Sequence, residues 1–384
     1  MNTLEILERL ISFPTVSRDS NLKLIGFVDS FLSERGIRTR LVHNADGTKA
    51  NLFAAVGPSG LPGILLSGHT DVVPVDGQAW SYDPFRLTLR GGRLYGRGTA
   101  DMKGFLACAM RAADAARRRE LKTPLWLSFS HDEEVGCIGV RSLIEVMAAE
   151  ELRPALCIVG EPTSMQVATG HKGKTALKAD CFGTEAHSAF APNALNALHL
   201  ACDFVSTLRR TQERIAASST GDAGCEVPYT TIHAARIDGG IAANIVPSRS
   251  TVWFEIRNAA ADDPERLVGQ LNRDAECIVH AARSISEAAD IRISVRNTYP
   301  GLDTPHDDPA VEFVKSLVGR ASVMKVPFGT EGGLFAEGVG APTVICGPGS
   351  MDQGHKPDEF VETEQIGSCE QMMYRLVDRL EAGI

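Results

Sequence analysis

The chain reads as an α/β protein: a mixed sheet of short apolar strands, interrupted by an inserted α+β unit of order β-α-β-β-α-β. Three observations predict this. Apolar strand-like runs alternate with helical patterns up to about residue 160, as α/β sheets require. From about residue 176 to 295 the pattern changes to alternating strands around two amphipathic helices. A chain of 384 residues is long for a single core, so two domains are expected. The first domain is expected over 1–175, the inserted domain over 176–295, and the first domain again over 296–384.

In order, residues 2–12 and 20–35 read as helices, stopped near Pro14 and Gly36. IRTRLV and ANLFAAV read as strands, and ILLSG from Ile64 as a strand covered on both faces. The stretch from Val72 to Thr99, rich in Gly, Pro, Trp and Tyr, predicts a hairpin plus a functional loop. Helices at about 102–119 and 139–149 alternate with strands at 124–130 and 155–160. KTALKADCF, TTIHAARI, STVWFEIR and IRISV are the strands of the insert, with helices over 193–213 and 264–283. A helix, the strand TVIC and a terminal helix from about 363 complete the first domain.

Hydrophobic content of 43% and charged content of 23% suit an ordinary soluble globular protein. A net charge of -9, with no long basic run, argues against nucleic-acid binding. No apolar run reaches membrane-spanning length, and MNTLEILERLISFPTVS carries acids within a helical pattern. A cytoplasmic location without membrane partners is the expectation. The nine cysteines are scattered without a C-x-x-C pair, which predicts buried, reduced thiols and no zinc-thiolate site.

The chemistry concentrates where apolar runs end. ILLSGHTD ends in His69 and Asp71, LWLSFSHDEE in Glu133 and Glu134, and LCIVGEP in Glu161. TVICGPG leads into a turn-rich loop carrying His355, and GRGTADMKG supplies Asp101. Ligands of open α/β sheets collect at the carboxyl ends of strands, so four such ends argue for one convergent site. Taken singly, each has a plainer reading: a surface H-x-D, an Asp N-cap, an exposed acidic turn, an inert loop histidine. Side chains two apart on extended backbone share a face, so Asp71 can take the ring N–H of His69. Adjacent Glu133 and Glu134 should point opposite ways, one to bind metal and one to carry a proton. Asp101 can bridge two cations spaced about 3.5–4 Å apart. Glu161, directly after a buried run, needs a metal or Arg partner. Nitrogen and oxygen donors without thiolate suit zinc, cobalt or manganese.

Together SGHTDVVP, GRGTADMKG, the Glu133–Glu134 pair, GEPT and the late His355 resemble the M20 family of co-catalytic zinc aminoacylases and peptidases. The resemblance covers nearly the whole chain. It implies a mixed-sheet zinc-hydrolase catalytic domain with an inserted dimerisation domain, working as a homodimer. It implies two divalent metal ions, zinc first and cobalt second. His69 and Glu161 would hold one, Glu134 and His355 the other, and Asp101 would bridge. Glu133 would be general base and acid, and Asp71 would orient His69. His187, in TEAHSAF, would reach a neighbouring subunit's active site to stabilise the oxyanion; Asn244 and Arg257 would contact substrate. GEPTSMQV, GHKGK, GTEGGLF and GPGSMDQGHKPDEF look most like the acetylornithine deacetylase branch. That implies hydrolysis of N-acetyl-L-ornithine to L-ornithine and acetate in arginine biosynthesis, with desuccinylase-like or dipeptidase substrates as the alternative.

Overall fold

The computed structural model describes residues 1–219, 221–222 and 224–384. The chain forms two compact units. One comprises 1–170, 302–326 and 330–384; the other comprises 171–301 and 327–329.

The first unit is built on a nine-stranded mixed sheet. Its middle is four neighbouring parallel strands: Leu125–Ser130, Ile64–His69, Leu156–Val159 and Thr343–Ile345. Ala50–Val56 and Arg38–His43 extend it antiparallel on one side. Ile64, Leu65 and Leu66 are all fully buried, because helices cover both faces. That is why these strands are continuous apolar runs and do not alternate. On one face, Leu7, Leu24, Phe105, Val311 and Leu376 from five helices share a core with Leu66, Leu127 and Ile158. On the other, Val140–Ala149 packs with Gly332–Val339.

Parallel neighbours present their carboxyl ends at one edge, so this topology alone gathers the ends of four strands. The helix Gly104–Ala116 passes so close beneath that edge that a Cβ on Gly160 would lie 2.0 Å from Phe105. The expected 72–99 hairpin is Thr88–Arg90 with Arg93–Tyr95, and Phe360–Glu362 adds a third strand to it. That pairing ties the loop bearing His355 to the segment leading into Asp101. The expected helix at 102–119 starts later and ends sooner, over Gly104–Ala116. Asp101 has φ -120° and ψ 91°, so it precedes the helix and does not cap it.

The second unit is a four-stranded antiparallel sheet in the order Thr231–Gly239, Arg249–Arg257, Lys174–Phe182, Asp290–Tyr299. Helices Ala197–Ser218 and Pro264–Ala282 place Phe204 and Leu271 against Leu177, Val252 and Phe254. The strand alternation follows from this one covered face. The first helix starts four residues later than its pattern suggested. Asn196 is its cap, accepting from the N–H of Leu198, while Pro192 lies in the preceding 3₁₀ turn. The second helix has Asp263 as cap and Pro264 in its first turn.

All nine cysteines are free, and Cys108, Cys137, Cys157, Cys181, Cys346 and Cys369 are buried. No helix among the described residues is long and apolar enough to cross a membrane.

Candidate active site

At the carboxyl edge of the four parallel strands, side chains from five segments meet. His69 Nε2 lies 3.0 Å from Asp101 Oδ1 and 3.7 Å from Glu161 Oε1. His355 Nε2 lies 3.1 Å from Asp101 Oδ2 and 3.0 Å from Glu134 Oε2. Asp101 therefore turns one oxygen to each histidine. Two donors on a tetrahedral zinc, each at about 2.0–2.1 Å, stand roughly 3.3–3.4 Å apart. The four separations bracket that spacing. Two other sets also lie within 4.8 Å of one another: His69, Glu133 and Glu161, and His69, Asp101 and Glu134. Both use His69. Its Nδ1 donates to the carbonyl of Asp71 at 2.8 Å, which leaves one ring nitrogen, enough for one cation. The division through Asp101 uses each donor atom once.

The charges fit the same division. Burial raises the carboxyls of Glu133 and Glu161 well above the usual range, and raises Glu134 to about 7. Repulsion from Asp101 adds to each. Burial would raise Asp101 too, but hydrogen bonds from His355 and His69 hold it below the usual carboxylate range. Hydrogen bonds to Asp101 and Glu134 push His355 up to about 10. Among the described residues no Lys or Arg pairs with these carboxylates. Acids clustered like this require positive charge, and divalent cations supply it where side chains do not.

The sequence pattern of peptidase family M20/M25/M40 matches residues 65–379. The chain belongs to this family. It is 34% identical over 385 residues to an acetylornithine deacetylase of Salmonella arizonae, covering 97% of this chain and 96% of the relative. In fold it is similar to an M20 family metallo-carboxypeptidase from Sulfolobus solfataricus, with TM-score 0.78 and 19% identity over 100% of both chains. It is also similar to a dinuclear metal binding peptidase of the M20 family from Bacillus subtilis, with TM-score 0.69 and 14% identity over 100% of this chain and 98% of that one.

Two local expectations for this M20 site change in the structure. Asp71 meets the His69 ring through its main-chain carbonyl, while its carboxylate is 3.7 Å away. That carboxylate does other work: it accepts from Ser17 Oγ at 2.7 Å and from the N–H groups of Glu133 and Glu134 at 3.1 and 3.3 Å. It is the turn, more than the ring, that Asp71 fixes. Nor do Glu133 and Glu134 diverge as strand neighbours would. Asp132, at φ 57°, turns the backbone before them, and both reach the cluster. Cys137 Sγ donates to Glu133 Oε1 at 3.3 Å.

Several supporting residues were not singled out by sequence reasoning. Glu331 is 1% exposed and accepts from Ser130 and Ser67, the latter at 3.3 Å. Burial raises its carboxyl to about 7. Its only signal was the GTEGG segment. Glu359 accepts the N–H groups of Gly98, Ala100 and Asp101 and pairs with Arg97 at 2.6 Å. It lay in view in HKPDEF, but nothing in the spacing shows that its partners would be backbone groups 258 to 261 positions away.

His187, Asn244 and Arg257 belong to the second unit. His187 pairs with Ile245 across a two-residue ladder, and the N–H of Ser188 donates to the carbonyl of Asn244. The structure thus brings two of the three to one place. His187 is exposed, with Nδ1 accepting from the N–H of Ala189 at 3.1 Å. Arg257 ends its strand half-buried, 3.0 Å from Glu255 and 3.4 Å from the hydroxyl of Tyr299.

Proposed function

We propose that the chain is a two-metal amidohydrolase that cleaves the amide of N-acetyl-L-ornithine to L-ornithine and acetate, a step of arginine biosynthesis in the cytoplasm. The observation that carries the two-metal reading is Asp101, with one oxygen beside His69 and the other beside His355. On this reading His69 and Glu161 hold one cation, Glu134 and His355 hold the other, and Asp101 serves both. Zinc suits these donors best, with cobalt an accepted substitute. When bound, such a pair polarises the substrate carbonyl and lowers the pKa of water.

The chain's own residues do the rest. Glu133 takes a proton from the attacking water as its oxygen joins the carbonyl carbon. The C–N bond then breaks, and Glu133 returns the proton to the leaving amine nitrogen. Asp71, braced by Ser17, holds the main chain of Glu133 and Glu134, so the proton carrier and its neighbouring ligand keep a fixed offset. The thiol of Cys137 limits where the Glu133 carboxylate can swing. His69 gives its Nδ1 proton to a carbonyl, which leaves the Nε2 lone pair pointed at the cluster. His187 stabilises the developing oxyanion from a partner subunit's insert, and Asn244 and Arg257 contact the substrate carbonyl or carboxylate.

The substrate rests on the deacetylase relative. A panel of N-acetyl-L-ornithine, N-succinyl-diaminopimelate, N-formyl amino acids and dipeptides tests it. The expected result is the highest kcat/KM on N-acetyl-L-ornithine. A higher value on the succinyl compound or a dipeptide would replace the substrate and leave the chemistry.

A further inference from the structure

His355 differs from the other candidate ligands. The side chains of His69, Asp101, Glu134 and Glu161 are at most 7% exposed, but that of His355 is 46% exposed. It sits in a loop, with left-handed backbone at φ 62°. A residue so placed does not keep its position by burial, so its main chain must be held from elsewhere.

Gln78 holds it. The side-chain Nε2 of Gln78 donates to the carbonyl of His355 at 3.0 Å. The Oε1 of Gln78 accepts from Arg97 Nη2 at 2.8 Å and from Trp80 Nε1 at 3.0 Å. This amide has only one workable orientation. Guanidinium and indole nitrogens can only donate, and a main-chain carbonyl can only accept. The position therefore needs one acceptor and one donor, and glutamine supplies both.

Arg97 faces two ways. It is 1% exposed, and its Nη1 meets Glu359 Oε2 at 2.6 Å. Glu359 in turn receives the N–H of Asp101 at 3.1 Å. One buried guanidinium thus reaches the backbone of Asp101 through Glu359 and that of His355 through Gln78. Substitution of Arg97 would disturb both arms. Substitution of Gln78 cuts only one.

We infer that Gln78 is a positioning residue for the His355 half of the site, setting the affinity for the cation shared by Glu134, His355 and Asp101 while leaving the His69–Glu161 half intact. This rests on the two-metal reading above. Outer partners of metal ligands typically matter by about 10–100-fold in affinity.

The test is Co²⁺ titration of the chelated full-length chain, followed by visible absorption and by metal content per chain. Wild type, Gln78→Ala and Gln78→Glu are compared. Glu keeps the acceptor for Arg97 and Trp80 and loses the donor for His355, so it isolates the contact in question. Both variants should take up the first Co²⁺ as wild type does and bind the second about 10–100-fold more weakly. The thermal melt of metal-free Gln78→Glu should coincide with that of wild type, since this variant keeps the acceptor of the buried Arg97 guanidinium. Two wild-type-like binding steps in both variants would overturn the inference alone. Equal weakening of both steps would also overturn it, by making Gln78 a support of the whole site. A wild-type chain that binds one Co²⁺ or none would overturn the two-metal reading and this inference with it.

Discussion

In the proposed mechanism Glu133 carries the proton and holds neither cation, so its removal should separate chemistry from metal binding. Glu133→Ala is expected to keep wild-type metal content and to lose about 10²–10⁴-fold in kcat, the usual share of a general acid–base group. Metal analysis and turnover on the same preparation check this, and near wild-type turnover would sink the role. A second residue-scale outcome concerns pH. His171 is 2% exposed, and burial lowers its pKa from 6.5 to about 4. The folded value lies below the unfolded one, so the folded chain keeps this ring neutral. Its stabilising share is complete above about pH 6.5 and drains away as pH falls toward 4, by at most about 3 kcal/mol. His171→Gln should show a shallower loss of urea stability between pH 6.5 and 4 than wild type. Parallel slopes would contradict it. Ligand-type residues were legible in the sequence because His69, Glu133, Glu134 and Glu161 follow apolar runs. Gln78, Glu331 and the true contact of Asp71 were not. The contacts that tie them to the site run through hydroxyls and main-chain atoms, which leave no pattern of residue types.

The central strands of the sheet were read nearly to the residue, because burial on both faces writes itself as unbroken apolar runs such as ILLSG and LCIV. Helix ends were read less well. The start of Gly104–Ala116 follows the non-helical backbone of Asp101 and Met102 and has no side-chain cap, and the start of Ala197–Ser218 is set by Asn196. The strand Val167–His171 and the helix Gly332–Val339 went unread. The first, VATGH, mixes small and polar residues although all are buried, and the second is broken by three glycines. Seating of Gly104–Ala116 under the Glu161 loop gives the prediction at this scale. Gly160→Ala places a methyl 2.0 Å from Phe105, so either helix or loop must move. Overpacking of this kind costs about 1–3 kcal/mol. The urea midpoint should fall accordingly, and an unchanged midpoint would show that the contact yields freely.

As a whole molecule, the chain combines a sheet that gathers candidate metal ligands with an inserted α+β unit that has an exposed edge strand. Among the described residues Thr231–Gly239 pairs on one side only, and most of its residues are exposed. Unpaired edges invite a partner, which supports the proposed homodimer. Sedimentation should show a dimer at micromolar concentration, and a strict monomer would refute it. If His187 serves the partner's site, mixing Glu133→Ala with His187→Ala chains should restore part of the activity that each lacks.

The proposed function requires this edge of the sheet to hold two divalent cations that together support amide hydrolysis. The most direct measurement is stepwise Zn²⁺ titration of the chelated chain while N-acetyl-L-ornithine turnover is followed. The expected result is no turnover without metal and two zinc ions per chain at full activity. Turnover by the metal-free chain, or full activity with fewer than two zinc ions per chain, would contradict the two-metal reading.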